Sequence, residues 1–173
     1  MSFLQRLFGE TKQRAALMPL YKALVGIGRE PAWYTKGEVP DSLDGRFDML
    51  SAVVALALLR LESEGEAGKA PSVLLTEIFI EDMDGTLRQI GIGDYVVGKH
   101  IGRMMSALGG RLGAFRDAGE AGPLGEAVRR NVFHDSPPSD AALEFVAGRL
   151  ESFRRALADT PLPSLYEGKV PRL

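Results

Sequence analysis

A chain of 173 residues with a formal net charge of −2 is long enough to bury a real core and gives no general electrostatic reason to hold nucleic acid. Its hydrophobic fraction of 45% and charged fraction of 25% are those of an ordinary globular protein. Cysteine is absent, which excludes disulfides, thiolate catalysis and cysteine-bound zinc, and His100 and His134 are too few imidazoles for a multi-histidine metal site within one chain.

Residues 1–10 read as a short amphipathic segment with Phe3, Leu4, Leu7 and Phe8 on one side. Such a segment either packs on its own domain or lies as an apolar wedge on a membrane or partner. Arg6, Lys12 and Arg14 add only weak electrostatic attraction to lipid. The segment lacks a signal-peptide pattern, so the protein is expected to stay in the cytoplasm, peripheral to the inner membrane if the wedge engages it.

A helical domain is expected over residues 11–158. Its first helix runs from Thr11 to Gly28 with Leu17, Leu20, Tyr21, Leu24 and Val25 as the buried stripe, and Pro19 bends or restarts it. Arg29–Gly45 reads as an ordered loop restricted by Pro31 and Pro40. Trp33 and Tyr34 are too large to leave in water without reason, so they either plug the loop onto the core or anchor a partner. Asp44 is a natural N-cap for the next helix, which continues to Glu64, and Asp48 lies one turn in, near the positive end of the dipole. From Phe47 to Leu61 that helix is apolar on nearly every side, which marks the centre of a bundle. Its longest apolar run, Met49 to Leu59, is about half of what a bilayer crossing needs.

An acidic amphipathic helix follows, opened by Pro71. Leu75, Ile78, Phe79, Met83, Leu87 and Ile90 share one face, while Glu77, Glu81 and Asp84 lie opposite, with Arg88 one turn beyond Asp84. Gly91-Ile92-Gly93-Asp94 breaks it, with Gly91 suited to a left-handed stop and Asp94 to the next cap. Val97, Ile101, Met104, Met105, Leu108, Leu112 and Phe115 carry another helix to about Ala118. Its Gly102, Gly109, Gly110 and Gly113 cost helicity, which predicts close approach of a second helix or a mobile segment. A helix over Leu124–Phe133 ends at His134, whose imidazole suits the C-terminal dipole better than a ligand role. The last helix carries Leu143, Val146, Leu150, Phe153 and Leu157, and residues 159–173 read as an extended tail. Nothing alternates with period two. The fold class is therefore all-α, a single compact multi-helix bundle around a central apolar helix.

Two stretches invite catalytic readings. Gly93–Lys99 fits the phosphate-loop spacing, but His100 stands where Ser or Thr must reach the metal, and a helix precedes it where a strand is required. A metal-dependent hydrolase or transferase could use Glu81, Asp82 and Asp84 with Asp94 or Asp48. Asp82 and Asp84, however, point about 200° apart on a helix and cannot share an ion, whereas Glu81 and Asp84 could. Capping and ion pairs with Arg46 and Arg88 account for most of these acids. No catalytic residue, metal or cofactor is expected.

Two blocks together are more specific: Val39-Pro40-Asp41-Ser42-Leu43-Asp44-Gly45-Arg46-Phe47-Asp48-Met49, and Phe79-Ile80-Glu81-Asp82-Met83-Asp84 followed by Leu87-Arg88, Gly91-Ile92-Gly93-Asp94 and Val97-Gly98-Lys99. In this order and spacing, from about Leu20 to Phe115, the chain resembles the ubiquinol–cytochrome c chaperone family, and its alphaproteobacterial branch in particular. The resemblance implies a non-enzymatic assembly factor for the cytochrome bc1 complex, with cytochrome b or another bc1 subunit as client. The ribosome and a second assembly factor are further partners it admits. Pro40, Asp41, Asp44, Gly45, Arg46, Phe47, Asp48, Asp82, Met83, Asp84, Arg88, Gly91, Gly93, Asp94, Gly98 and Lys99 match the pattern. Of these, Asp41, Arg46, Asp82, Arg88, Asp94 and Lys99 are taken as partner-binding together with Trp33, Tyr34, Met104 and Met105, and the others as architectural. The chain departs from the family at Gly109, where members tend to carry an aromatic before the glycine-arginine matched by Gly110-Arg111. It departs again at Ala52 and Val53, where they tend to carry a histidine. A helical groove lined by Met104, Met105 and the adjoining glycine face is the expected client site.

Overall fold

The computed structural model describes the backbone of residues 3–172, and within it the side chains of all but residues 3–11, Asp94, Tyr95 and Ala121. The elements are α1 (Phe3–Gly28), α2 (Ala32–Thr35), α3 (Leu43–Glu62), α4 (Glu66–Gln89), α5 (Asp94–Ala121), α6 (Gly125–Val128), a π-helical turn (Arg129–Phe133), α7 (Asp140–Asp159) and α8 (Leu162–Tyr166). No strand occurs among the described residues, so the chain is an all-α bundle. None of their helices is long and apolar enough to cross a membrane.

The all-round apolarity of α3 has a direct cause: every residue from Phe47 to Leu58 is buried, because α1, α4, α5 and α7 surround it. Its cap is Ser42, whose hydroxyl accepts from the Gly45 N–H at 3.1 Å. Asp44, expected as the cap, lies instead in the exposed first turn, where its charge still faces the positive helix end. Gly45 is required by space, since a Cβ there would come 2.0 Å from the Pro40 carbonyl oxygen.

α1 runs through Pro19 without restarting. The missing N–H forfeits one hydrogen bond, but the turns on either side bury Leu17, Leu20, Tyr21 and Leu24, which keeps the helix continuous. The side chains of Phe3, Leu4, Leu7 and Phe8 lie outside the described residues. α4 likewise starts a turn earlier than Pro71 suggests, at Glu66. It stops at Gly91 (φ +88°), whose N–H bonds to the Arg88 carbonyl at 3.0 Å while the Ile92 N–H reaches Leu87 at 3.1 Å. These two bonds satisfy the last carbonyls of the helix. The cap position of α5 is then Gly93, not Asp94.

The loop after α1 contains a helical turn, α2, with Trp33 fully buried. Its indole N–H donates to the Ile27 carbonyl at 2.7 Å, Phe145 meets the ring edge-on, and the Arg149 guanidinium lies 4.7 Å from the ring centroid. Trp33 is the plug that fastens this loop to α7. The glycines of α5 have no comparable purpose: a Cβ at Gly102, Gly109, Gly110 or Gly113 would meet nothing within 4 Å, so no helix comes close there. The tail folds back as α8 onto α1, burying Leu165.

Candidate partner-binding groove

α3 presents Leu43, Phe47 and Leu50 at steps of four and three, and α4 presents Met83, Leu87 and Ile90 at the same steps. Where these two ladders face each other, with Tyr34 of α2 and Met104 of α5 closing the sides, a groove of about 540 Å³ opens. That volume is of the size that takes a few side chains or a small ligand. Phe47, Leu50, Met83 and Leu87 are buried in its floor, while Leu43 is 42% and Ile90 55% exposed at its edges. Large aliphatic groups left in water at a concave site are covered when a partner binds, and two unbranched methionines let the floor adapt to its shape.

The rim is polar. Arg46 Nε donates to Asp41 Oδ1 at 2.7 Å, which holds the Asp41 carboxyl below the usual carboxylate range and raises the guanidinium. The same guanidinium lies 6.0 Å from the Tyr34 ring centroid. Tyr34 donates its hydroxyl hydrogen to the Gly28 carbonyl at 3.2 Å, and burial pushes its pKa up against the opposing pull of Arg46. The structure thus brings Tyr34, Asp41, Arg46 and Met104 together at one groove, over Phe47 and Met83.

Behind the floor sits a buried charge cluster. Arg111, 1% exposed, donates from Nη2 to Asp48 Oδ1 at 2.7 Å and also reaches the Ser51 hydroxyl and the Asn131 carbonyl. Desolvation pulls the Arg111 pKa down and Asp48 pulls it back up, but a guanidinium keeps its proton in a protein. Its Cζ lies 5.9 Å from the Phe47 ring centroid, so the cluster props the aromatic that floors the groove. The structure adds partners to two residues. Asp48, in the second turn of α3, is the counterion of Arg111. His134 stands at the C-terminus of the π-helical turn, as expected, and its Nε2 lies 3.1 Å from Asp48 Oδ2. Arg111 was missed as a site residue, although a signal existed: it falls in the buried stripe with Leu108, Leu112 and Phe115, where a cation needs an acid from another helix.

The remaining residues lie elsewhere. Trp33 belongs to the core, as its burial requires. Asp82 faces α1 and accepts from the Tyr21 hydroxyl at 2.7 Å; burial first, and then that bond, drives the Tyr21 pKa well up. Arg88 holds Asp84 at 2.6 Å, and Arg14 grips Glu81 with both terminal nitrogens. Glu81 and Asp84, the pair that could have shared an ion, are thus held by separate arginines. No group of three or more His, Asp or Glu able to hold a metal occurs among the described residues. Lys99 is exposed on α5, and Met105, half-buried, does not line the groove. The Asp94 side chain lies outside the described residues. Gly93–Lys99 forms the turn and first turns of a helix with another helix before it, so the phosphate-loop context is absent.

The family model described as Ubiquinol-cytochrome C chaperone matches residues 35–172. The crystal structure of the Cbp3 homolog from Brucella abortus is similar to this chain, with a TM-score of 0.80 and 28% identity over 99% of this chain and 97% of that one. No curated protein matches the sequence.

Proposed function

This chain belongs to the ubiquinol–cytochrome c chaperone family, whose members are non-enzymatic assembly factors, and we propose that it holds its client in the groove between α3, α4 and α5. The client we propose is cytochrome b, or another subunit of the cytochrome bc1 complex, caught by an apolar segment before assembly. The observation that carries this reading is the groove between the facing ladders Leu43-Phe47-Leu50 and Met83-Leu87-Ile90, whose buried floor is edged by the exposed Leu43 and Ile90, with Met104 beside them. A helix laid into such a groove buries its own apolar side chains at three- and four-residue steps against them. The place of action that fits is the cytoplasmic side of the inner membrane, where the client inserts.

The test is site-specific photocrosslinking in the native host. A photoreactive amino acid at Leu43 should capture cytochrome b or another bc1 subunit, and Leu43→Asp should lower both client recovery and assembled bc1 complex. Val73, exposed still more but outside the groove, is the control position. Equal capture from Leu43 and Val73 would sink the reading.

A further inference from the structure

The groove is apolar along its floor but not neutral at its wall, which carries two guanidinia, Arg29 and Arg46, against one carboxylate, Asp41. Asp41 is taken by the Nε of Arg46. Arg29 follows the last residue of α1, is exposed, and makes no side-chain hydrogen bond or ion pair with any described residue. Two acids near it are committed elsewhere, Glu30 to Arg149 at 2.6 Å and Asp82 to the Tyr21 hydroxyl. Lys12, Lys22, Lys36 and Arg172 also lack an acid among the described residues, so an unpaired cation is ordinary on this surface. Arg29 differs from these in lining the groove. Its charge is felt there: burial raises the pKa of the Tyr34 hydroxyl, and Arg29 is one of two guanidinia that pull it back. The neighbouring hydroxyls are spent as donors, Tyr34 on the Gly28 carbonyl and Thr35 on the Pro31 carbonyl at 3.1 Å. Arg29 is therefore the charged side chain of the wall with every donor unclaimed.

We infer that Arg29 selects the occupant of the groove, a helical client segment that carries Asp or Glu beside its apolar stripe. The inference rests on the client reading and adds to it the chemistry of the segment's end. The facing ladders cover aliphatic side chains at three- and four-residue steps, which any amphipathic helix offers. A guanidinium has five N–H donors and no acceptor, and its planar fork matches a carboxylate at two points. An acid at the end of the stripe meets Arg29 without displacing Asp41 from Arg46. A lysine in that place would face two cations whose single counterion is already engaged, and like charges set close across an interface reject the wrong partner. A fatty acid offers the same pairing of chain and carboxylate. The two ladders, each about 10 Å long, instead suit a wider body with side chains of its own. Because Arg29 is exposed, its contact adds less to affinity than the ladders do and more to choice.

The experiment is isothermal titration calorimetry of the full-length protein with synthetic peptides of about 15 residues, long enough to form a helix on binding. Each carries leucine at i, i+3, i+4 and i+7 in a neutral background. They differ only in the residue one turn beyond the stripe, which is Glu, Gln or Lys, placed at either end. At the end that engages Arg29, the Glu peptide should bind about two- to fivefold tighter than the Gln peptide, and the Lys peptide weaker than both. High salt should narrow the spread. Arg29→Gln should erase the difference between Glu and Gln, and Arg29→Glu should reverse the order of Glu and Lys. Arg29 is exposed and unpaired, so both variants should melt as the wild type does. Leu43→Ser should weaken all three peptides alike, which locates them in the groove. Equal affinity for the three, or a preference that survives Arg29→Gln, would overturn this inference and leave the groove reading standing. Tighter binding of laurate than of the Glu peptide would overturn it in favour of a fatty acid. Peptides that fail to bind, or that ignore Leu43→Ser, would overturn both.

Discussion

The guanidinium of Arg111 on α5 and the carboxylate of Asp48 on α3 meet at 2.7 Å in the interior, with both side chains almost wholly withdrawn from water. An ion pair in that setting gains little over apolar packing, yet neither partner tolerates loss of the other. Asp48→Ala should therefore cost about 3–5 kcal/mol, by leaving Arg111 charged and unpaired. The double variant Asp48→Leu/Arg111→Met should recover most of that loss. Urea unfolding measures both. His134→Ala, at the half-exposed side of the cluster, should cost less than about 1 kcal/mol. Asp48→Ala costing no more than His134→Ala would remove Arg111 from the centre of this account.

The two kinds of glycine should separate by sign. Gly45→Ala forces a Cβ against the Pro40 carbonyl and should destabilise by about 1–3 kcal/mol. Gly109→Ala and Gly110→Ala fill open space on an exposed helix surface and should each stabilise by about 0.5–1 kcal/mol. Thermal unfolding of the three variants decides this. A loss at Gly110 would mean that something does approach α5 there.

Adjacent aromatics should also part company. Trp33→Ala empties a buried site and should cost about 3–5 kcal/mol. Tyr34→Phe removes one hydrogen bond, about 0.5–1.5 kcal/mol, while keeping the ring in the groove wall. The chain's only tryptophan makes the first change easy to follow, since native emission should be blue-shifted and move to longer wavelength on unfolding. Client capture should tolerate Tyr34→Phe and fall with Tyr34→Ala.

Acid sensitivity should involve the start of α7. Glu38 accepts from both the N–H and the hydroxyl of Ser139, each at 2.9 Å, and the backbone bond is the larger of two causes that depress its pKa. A folded-state pKa below the unfolded value means the native protein holds fewer protons in the interval between them. The contribution is thus complete above the unfolded glutamate value, from about pH 5 upward, and is lost as pH falls through the folded value. Urea midpoints measured downward from about pH 5 should fall less steeply in Glu38→Gln than in the wild type. Parallel slopes would show that the Ser139 contacts do not persist in solution.

Turn punctuation and spacing were legible where the physics is local. The stop at Gly91 depends on one residue able to take positive φ, and its two hydrogen bonds reach back only a single turn. Pro19 did not restart its helix and Pro71 did not open one, because a proline costs one bond in its own turn, whereas the apolar residues flanking it are buried by helices distant in sequence. The glycines of α5 misled in the opposite way, since open space and close approach leave the same letter in the sequence.

By itself, the sequence determined the all-α class, the central position of α3 and the two blocks that mark the family, because helical period and apolar coverage repeat every few residues. Only the tertiary structure decided which acid serves which partner. Asp48 could cap, pair or bind a metal until α5 lay across α3 and brought Arg111 to it from 63 positions away. The groove has the same origin: Tyr34, Leu43, Ile90 and Met104 stand on four helices, and no pattern within one helix records which faces of the others will meet it.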